Sequence, residues 1–202
     1  MNKKYVCSIS VLLALFCIPG CSADVGSESE SKNDGPVGVS TAELTGWLGP
    51  ISEEAGMNYR SYSQANIGTT NAFCGGSYCD NNYIYGAALP TGVFTGAEYL
   101  TGVIISEEAP NNSSFCVNAS GYLSGVVTGL RASGSYSDNL ELVCAPLSFS
   151  GSHYWNSCKW TNWFSEENGG YPTGWTSGYY AAGIACSGSR CDNVAYYICN
   201  FT

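Results

Sequence analysis

The pattern of apolar and polar positions along residues 45–202 predicts short β-strands separated by polar turns. An Asp-Asn pair precedes each of three apolar stretches, which read NYIYGAAL, LELVCAPL and VAYYICNF. A Gly-Ser pair soon follows each of three more, which read GTTNAFC, GVVTGLRA and YYAAGIAC. Leu140, Leu142 and Cys144 alternate with polar Glu141, as in a half-buried strand. Apart from a weak possibility at the stretch TAEL, no helical periodicity is sustained, so the pattern predicts an all-β fold.

Two motifs recur three times in the same order, which indicates an internal repeat of about 55 residues. A Ser-Glu-Glu motif begins at Ser52, Ser106 and Ser165, and the Asp-Asn pairs begin at Asp80, Asp138 and Asp192. The repeats cover residues 45–90, 99–148 and 154–202. Each is too small to bury its apolar face alone, so three copies should pack around a shared pseudo-threefold axis. This favours a β-prism of three sheets; a β-trefoil is the alternative, although its Gln-x-Trp-like signal is absent.

The repeats resemble those of the vitelline membrane outer layer protein I family. In that family a Trp-containing entry strand, a Gly-rich strand, an acidic turn and a strand ending in cysteine recur three times. The corresponding features here are Trp47 and Trp160, the strands GIAC and AYYIC, the turn Asp192-Asn193, and the strand-ending Cys144 and Cys199. Gly86 or Ala87 replaces the cysteine in the first copy. The resemblance implies a β-prism fold and oligosaccharide binding.

Eight of the eleven cysteines belong to the repeats, and an even number in an exported chain predicts four disulfides. The middle copy has Ala132 and Ser137 where the other two copies have cysteines, so both partners are lost together. Joint loss predicts the pairs Cys74–Cys79 and Cys186–Cys191. The other four cysteines allow three connectivities, of which pairing within repeats is preferred, as Cys116–Cys144 and Cys158–Cys199.

The repeated Cys-x-x-x-x-Cys motif does not predict a metal site. Zinc is usually held by Cys-x-x-Cys spacing and four ligands, and His153 is the sole histidine of the chain. A redox pair would need cations beside the thiols, and Tyr78 stands in the first copy where the third has Arg190. We therefore expect structural disulfides, and neither a metal nor a cofactor.

The first 20 residues resemble a bacterial lipoprotein signal peptide. Lys3 and Lys4 precede an apolar stretch, which ends in Ile18-Pro19-Gly20-Cys21. This lipobox-like end predicts diacylglyceryl attachment at Cys21, while an ordinary signal peptide is the alternative. Ser22 favours the outer membrane or cell surface. Residues 21–39 are rich in Ser, Gly and acids and predict a flexible linker, which leaves residues 40–202 as the β domain.

The charge balance excludes nucleic acid as a partner. The formal net charge is −9, and removal of the leader leaves 16 acidic and five basic residues, or −11. Such a chain cannot neutralise phosphates. The membrane is then reached through the lipid anchor alone.

The sequence carries no recognisable catalytic constellation. Adjacent glutamates on a strand point to opposite faces, so the Ser-Glu-Glu motifs do not present the two facing carboxylates of a glycosidase. A nucleophile elbow and a phosphate loop are also absent. We therefore expect a non-enzymatic protein, with a transferase or hydrolase of amino-sugar polymers as the least favoured alternative.

Aromatic residues of the third repeat give the best candidate for a ligand site. Tyr171 and Trp175 lie in FSEENGGYPTGWTSGYY, among Gly, Pro, Thr and Ser, where burial is difficult. Exposed rings stack on sugars while polar groups bind hydroxyls, so these residues indicate a lectin-like domain that binds a glycan or another envelope polymer, in up to three related sites. The candidate ligand residues are Tyr171, Trp175, Glu166, Asp192, Asn193 and Arg190. In the competing interpretations, the rings belong to the core, the Asp-Asn pairs form Asx turns, and the domain is a structural or protein-interaction module.

Overall fold

The computed structural model describes residues 45–52, 59–62, 66–108 and 112–202. The predicted leader, the lipidation site at Cys21 and the linker lie outside the described residues. The strands are β1 (Gly46–Ile51), β2 (Tyr59–Ser61), β3 (Ile67–Gly75), β4 (Asn81–Ala88), β5 (Val93–Thr95), β6 (Tyr99–Ile105), β7 (Ser113–Phe115), β8 (Gly125–Ser133), β9 (Asn139–Phe149), β10 (Trp155–Trp160), β11 (Tyr179–Ser187) and β12 (Asn193–Phe201). Short 3₁₀ turns lie at Ser77–Cys79, Ser135–Ser137, Glu166–Asn168 and Ser189–Cys191. In this part of the chain, no helix has the length and apolarity needed to cross a bilayer.

Three antiparallel sheets repeat one pairing scheme, which confirms the all-β prediction. In each repeat the last strand lies between the entry strand and the middle strand, giving β1-β4-β3 (sheet 1), β6-β9-β8 (sheet 2) and β10-β12-β11 (sheet 3). Each middle strand has an extra residue at the same register position, namely Thr70, Thr128 or Ala182. Because the bulge falls at the same place in each sheet, it identifies the equivalent residues of the three sheets.

Neighbouring repeats are joined because one repeat supplies an edge strand to the next. β2 of the first repeat pairs with β8 of the second, and β7 of the second pairs with β11 of the third. Among the described residues, the third repeat joins β3 of the first through the backbone hydrogen bond in which Cys74 N–H donates to Gly170 O at 2.9 Å. Pro172 lies two residues after Gly170, and proline has no N–H with which to continue a ladder.

The inward faces of the three sheets form one apolar core. Equivalent positions of the last strands supply Ile84, Leu142 and Tyr196, each at most 1% exposed. The serines of the three Ser-Glu-Glu motifs are also buried. A smaller apolar cluster includes Leu89, Val126 and Tyr180. The alternation predicted for the strands therefore corresponds to a core face and an outer face of each sheet. The prediction of a half-buried strand at residues 140–144 is wrong, however, because Glu141 and Val143 on the outer face of β9 are buried as well.

All four disulfides predicted from the sequence are present, including both pairings within repeats: Cys74–Cys79, Cys116–Cys144, Cys158–Cys199 and Cys186–Cys191. Four disulfides indicate an oxidising, extracytoplasmic environment.

One expectation about the cysteines needs correction. Cys144 and Cys199, treated above as equivalent strand-ending cysteines, lie one register position apart. Cys144 is opposite Val127, just before the bulge, whereas Cys199 is opposite Tyr180, one position further from it. Successive side chains alternate across a strand, so Cys144 faces the core and Cys199 the outer face. The two cysteines therefore do not occupy equivalent positions of the repeat.

A tyrosine in the first repeat takes the place of the Cys116–Cys144 disulfide of the second. Tyr62 N–H donates to Thr128 O at 3.0 Å, just as Cys116 N–H donates to Ala182 O at 2.9 Å. Gly86 has the register position of Cys144. A side chain at Gly86 would collide with the Tyr62 ring. The Tyr62 hydroxyl is within donating distance of two backbone carbonyl oxygens, Gly46 O at 2.7 Å and Ile84 O at 2.9 Å. A packed phenol therefore closes the first repeat where a disulfide closes the second.

The buried tyrosines predict loss of stability at alkaline pH. Burial raises the pKa of the Tyr62 and Tyr196 hydroxyls above their ordinary value of 10.0. The folded state therefore favours the neutral phenols, and stability present below pH 10 is lost as the pH rises further, by at most about 1.4 kcal/mol per pH unit for each group. The urea unfolding midpoint of the wild type should fall as the pH is raised from neutral to above 10. The midpoint of the Tyr62→Phe variant should fall less steeply over the same range. A midpoint that stays constant would contradict this assignment.

Candidate functional site

The three Gly-Ser turns, turn 1 (residues 76–81), turn 2 (134–139) and turn 3 (188–193), share one backbone conformation. Their first glycines have φ of 74°, 80° and 77°, and the residues two positions later, Tyr78, Tyr136 and Arg190, have φ of 62°, 63° and 59°. In each turn the asparagine Nδ2 donates to Oδ1 of the preceding aspartate at 2.6–2.7 Å. This explains why Gly-Ser and Asp-Asn persist in all three copies while the cysteines do not.

The tips of the three turns meet. The Arg190 guanidinium carbon lies 3.9 Å from the ring centroid of Tyr136 and 4.7 Å from that of Tyr78. The two tyrosine rings lie 5.7 Å apart in an edge-to-face arrangement. These cation–π contacts pack the variable tip residues against one another.

Glu166 joins the third repeat to turn 1. Its carboxylate accepts hydrogen bonds from Tyr78 N–H at 2.9 Å and Cys79 N–H at 3.1 Å. Of the six candidate ligand residues, Glu166, Arg190, Asp192 and Asn193 therefore lie at the turns and contact other protein groups. The described residues include no group of three or more His, Cys, Asp or Glu side chains that could hold a metal ion.

The outer face of sheet 1 carries a different kind of surface, a cluster of five aromatic rings that we call the aromatic face. Trp47 on β1 lies opposite Tyr85 on β4, with ring centroids 5.4 Å apart. Tyr171 of the third repeat lies 6.2 Å from Trp47 and 4.7 Å from Phe73, which in turn lies 5.4 Å from Tyr83. Trp47 is 48% and Tyr171 52% exposed, so rings of two repeats share one solvent-facing surface.

A groove of about 540 Å³ borders the aromatic face. Sheet 1 supplies one wall, with Thr70, Asn71, Tyr85 and Ala87, and residues 175–180 supply the other. The volume lies in the usual range for small-molecule sites. All side chains of the lining are uncharged, and amide and hydroxyl groups stand among aromatic rings.

Trp175 belongs to this groove but is anchored to the protein. Its ring lies 5.4 Å from the core residue Tyr196, and its Nε1–H donates to Tyr179 O at 3.1 Å. At the rim, Lys159 Nζ donates to Thr176 Oγ1 at 2.8 Å and lies 5.0 Å from the Tyr179 ring centroid. Trp175 therefore lines the groove, while its indole N–H is hydrogen-bonded to the protein and its ring packs against the core.

The structure thus brings two of the six candidate residues, Tyr171 and Trp175, to the same surface. Sequence reasoning missed Trp47, Tyr85 and Asn71, which belong to the first repeat. A signal for them was present: Tyr83 and Tyr85 flank Ile84 in an alternating stretch, which puts both rings on the outer face if Ile84 is in the core.

The aromatic residues of the third repeat divide between core and surface. Phe164 and Tyr180 are buried, and Trp155 stacks on Phe201 with centroids 4.3 Å apart. The exposed members are Tyr154, Trp160, Trp163 and Tyr171. Only some of these rings are therefore available to a ligand.

Comparison with protein-family models, curated proteins and solved structures gave no significant match for this chain. The resemblance to the vitelline membrane outer layer protein I family remains a prediction that depends on the repeated motifs alone. The function therefore has to be inferred from the side chains of the site.

Proposed function

We propose that the chain is an exported, lectin-like domain that binds glycans at the aromatic face and its groove. The observation that supports this most directly is the exposure of Trp47 and Tyr171 beside a polar groove. A pyranose ring has apolar C–H faces, which stack on aromatic rings, and equatorial hydroxyls, which need amide and hydroxyl partners. Trp47 and Tyr171 supply the first kind of contact, and Asn71, Thr176 and Ser177 supply the second.

The preferred ligand is an uncharged glycan, and its binding is not followed by hydrolysis. The lining has no charged side chain, and the net charge of −9 disfavours the approach of an acidic polymer. Glu166, the first glutamate of the third Ser-Glu-Glu motif, already accepts hydrogen bonds from two backbone N–H groups of turn 1. Both of its carboxylate oxygens therefore contact turn 1, and Glu166 is not among the residues that line the groove.

The finer architecture and the location form part of the same proposal. The common pairing scheme of the three sheets and their shared core support a β-prism arrangement over a trefoil. A lipid on Cys21 and the linker of residues 21–39 would hold the domain at the outer surface of a bacterial cell, within reach of envelope or external polysaccharide. Repetition of the scaffold makes more than one site geometrically available.

Substitution of the aromatic face tests the proposal. Trp47→Ala and Tyr171→Ala should each weaken retention on neutral polysaccharides such as chitin and cellulose by about tenfold or more. The reason is that a buried aromatic contact contributes about 1.5–3 kcal/mol, and about 1.4 kcal/mol corresponds to tenfold in affinity. Pull-down on the insoluble polymers and a glycan array would measure this.

Tyr122→Ala is the matched control, because Tyr122 is 73% exposed and belongs to a loop of the second repeat. Its retention should equal that of the wild type. Equal retention of all variants would contradict the assigned site. Absence of any glycan binding by the wild type would favour the structural or protein-interaction alternative.

A further inference from the structure

The outer face of sheet 3 carries an aromatic row at the same register position as the Trp47–Tyr85 pair. We use the word rung for the residues that lie opposite one another across a sheet. In sheet 1 the rung runs Trp47, Tyr85, Asn71. In sheet 3 it runs Trp160, Tyr197, Gly183, Phe115, from β10 to β7. In both sheets a tryptophan of the entry strand therefore lies opposite a tyrosine of the last strand.

The geometry of the two pairs is similar. The ring centroids of Trp160 and Tyr197 are 5.1 Å apart, compared with 5.4 Å for Trp47 and Tyr85. Trp160 is 41% and Trp47 is 48% exposed. Each tryptophan therefore presents a large part of its surface to solvent beside a second ring.

Phe115, supplied by the second repeat, completes the row in sheet 3. Its ring lies 5.7 Å from Trp160 and 5.6 Å from Tyr197. Gly183 makes room for it, since a side chain on this glycine would collide with the Phe115 ring. Three rings from three strands thus form one continuous surface.

Burial does not account for this row. The core of the third repeat uses the opposite face of β12, where Tyr196 and Ile198 are buried. A contiguous aromatic patch on the solvent side of a sheet is characteristic of a binding surface. An aromatic pair at the same rung of sheet 1 and sheet 3 is a second, independent indication that this outer face binds a ligand.

The same rung of sheet 2 has no aromatic ring. It runs Leu100, Val143, Gly129, Ser61, and Ser61 Oγ donates to a Glu98 carboxylate oxygen at 2.7 Å. A branched aliphatic side chain lacks the flat surface on which a sugar ring stacks. Leu100 therefore provides a control position within the same scaffold.

We propose that Trp160, Tyr197 and Phe115 form a second glycan-binding platform, so that the domain has two carbohydrate sites and not three. This inference rests on the proposed function of the aromatic face. In sheet 3 the rung has Gly183 where sheet 1 has Asn71, and Phe115 covers it. The second platform therefore binds chiefly by stacking and is the weaker of the two. On a polymeric glycan, occupation of both platforms raises the apparent affinity through the high effective concentration of the second site.

Titration with soluble chitotetraose and cellotetraose tests the number of sites. For the oligosaccharide that binds, calorimetry or chemical-shift mapping of the wild type should give two sites per chain. Trp160→Ala should remove the weaker site, Trp47→Ala the stronger, and the double variant both. Leu100→Ala should keep both sites unchanged. On insoluble chitin or cellulose, Trp160→Ala should lower retention by about tenfold or more because bivalent attachment is lost.

A conservative variant and the possible outcomes separate this inference from the function on which it rests. Trp160→Phe retains a ring at the same rung and should keep the second site with reduced affinity. Binding of a single equivalent by the wild type, with Trp160→Ala unchanged, would overturn the second platform while the first site stands. Binding of neither oligosaccharide nor polymer would overturn both.

Discussion

Removal of the Cys116–Cys144 disulfide is expected to lower the free energy of unfolding by about 3.5 kcal/mol, which exceeds the loss from removing a turn disulfide by about 1.5 kcal/mol. The two cysteines are 28 residues apart, whereas Cys74 and Cys79 are separated by 5. A cross-link restricts the unfolded chain more strongly when it closes a longer loop, and the chain-entropy relation gives about 2 kcal/mol for the short one. Since small domains have only about 5–15 kcal/mol of stability, the difference is readily measurable.

The chain provides its own substitution for the matched comparison. Cys74→Ala/Cys79→Ser reproduces the residues of the middle copy, Ala132 and Ser137. Its urea unfolding midpoint should lie well above that of Cys116→Ala/Cys144→Ala, both measured without reductant. If the turn variant were the less stable of the two, loop length would not be the governing quantity.

Replacement of Gly188 by alanine is expected to destabilise the domain by about 3 kcal/mol or more. Gly188 opens turn 3 with φ of 77° and ψ of 176°, a region that is almost restricted to glycine. A Cβ there would also collide with the Asp192 carboxylate, which is held in place by Asn193. Backbone strain and overpacking each cost about 1–3 kcal/mol.

Gly169→Ala separates these two contributions. Gly169 has φ of 88° and ψ of 7°, and the Cβ of an alanine at this position would have no atom within 4 Å. The Gly169→Ala variant should therefore lose only the free energy needed to hold an alanine in the left-handed backbone conformation, about 1–2 kcal/mol. Thermal and urea unfolding of both variants would measure the difference, and equal losses would show that contact with Asp192 is unimportant.

Much of the fold follows from local sequence. Alternation in stretches such as LELVC determines which side chains face the core, and joint loss of two cysteines in one copy gave the turn disulfides. The offset between Cys144 and Cys199 could have been counted, since they follow the Asp-Asn pairs at distances that differ by one residue. The exchange of β2 and β7 between repeats was not foreseeable, because no local pattern specifies which sheet a three-residue strand joins.

The site was foreseeable only in part, because its two walls are far apart in sequence. Loop-like surroundings correctly marked Tyr171 as exposed, but its neighbours Trp47 and Phe73 lie 124 and 98 residues earlier in the chain. Trp175 has similar neighbours in sequence and is nevertheless packed on Tyr196. The convergence of Tyr78, Tyr136 and Arg190 likewise depends on how three turns are brought together.

The contact between Glu166 and turn 1 also has a consequence for the order of folding. The carboxylate and the backbone amides that it binds are 88 and 87 residues apart, so the first turn lacks its cap until most of the chain has been synthesised. Contacts of such long sequence separation form slowly. Turn 1, although it belongs to the first repeat, therefore reaches its final structure only when the third repeat is in place.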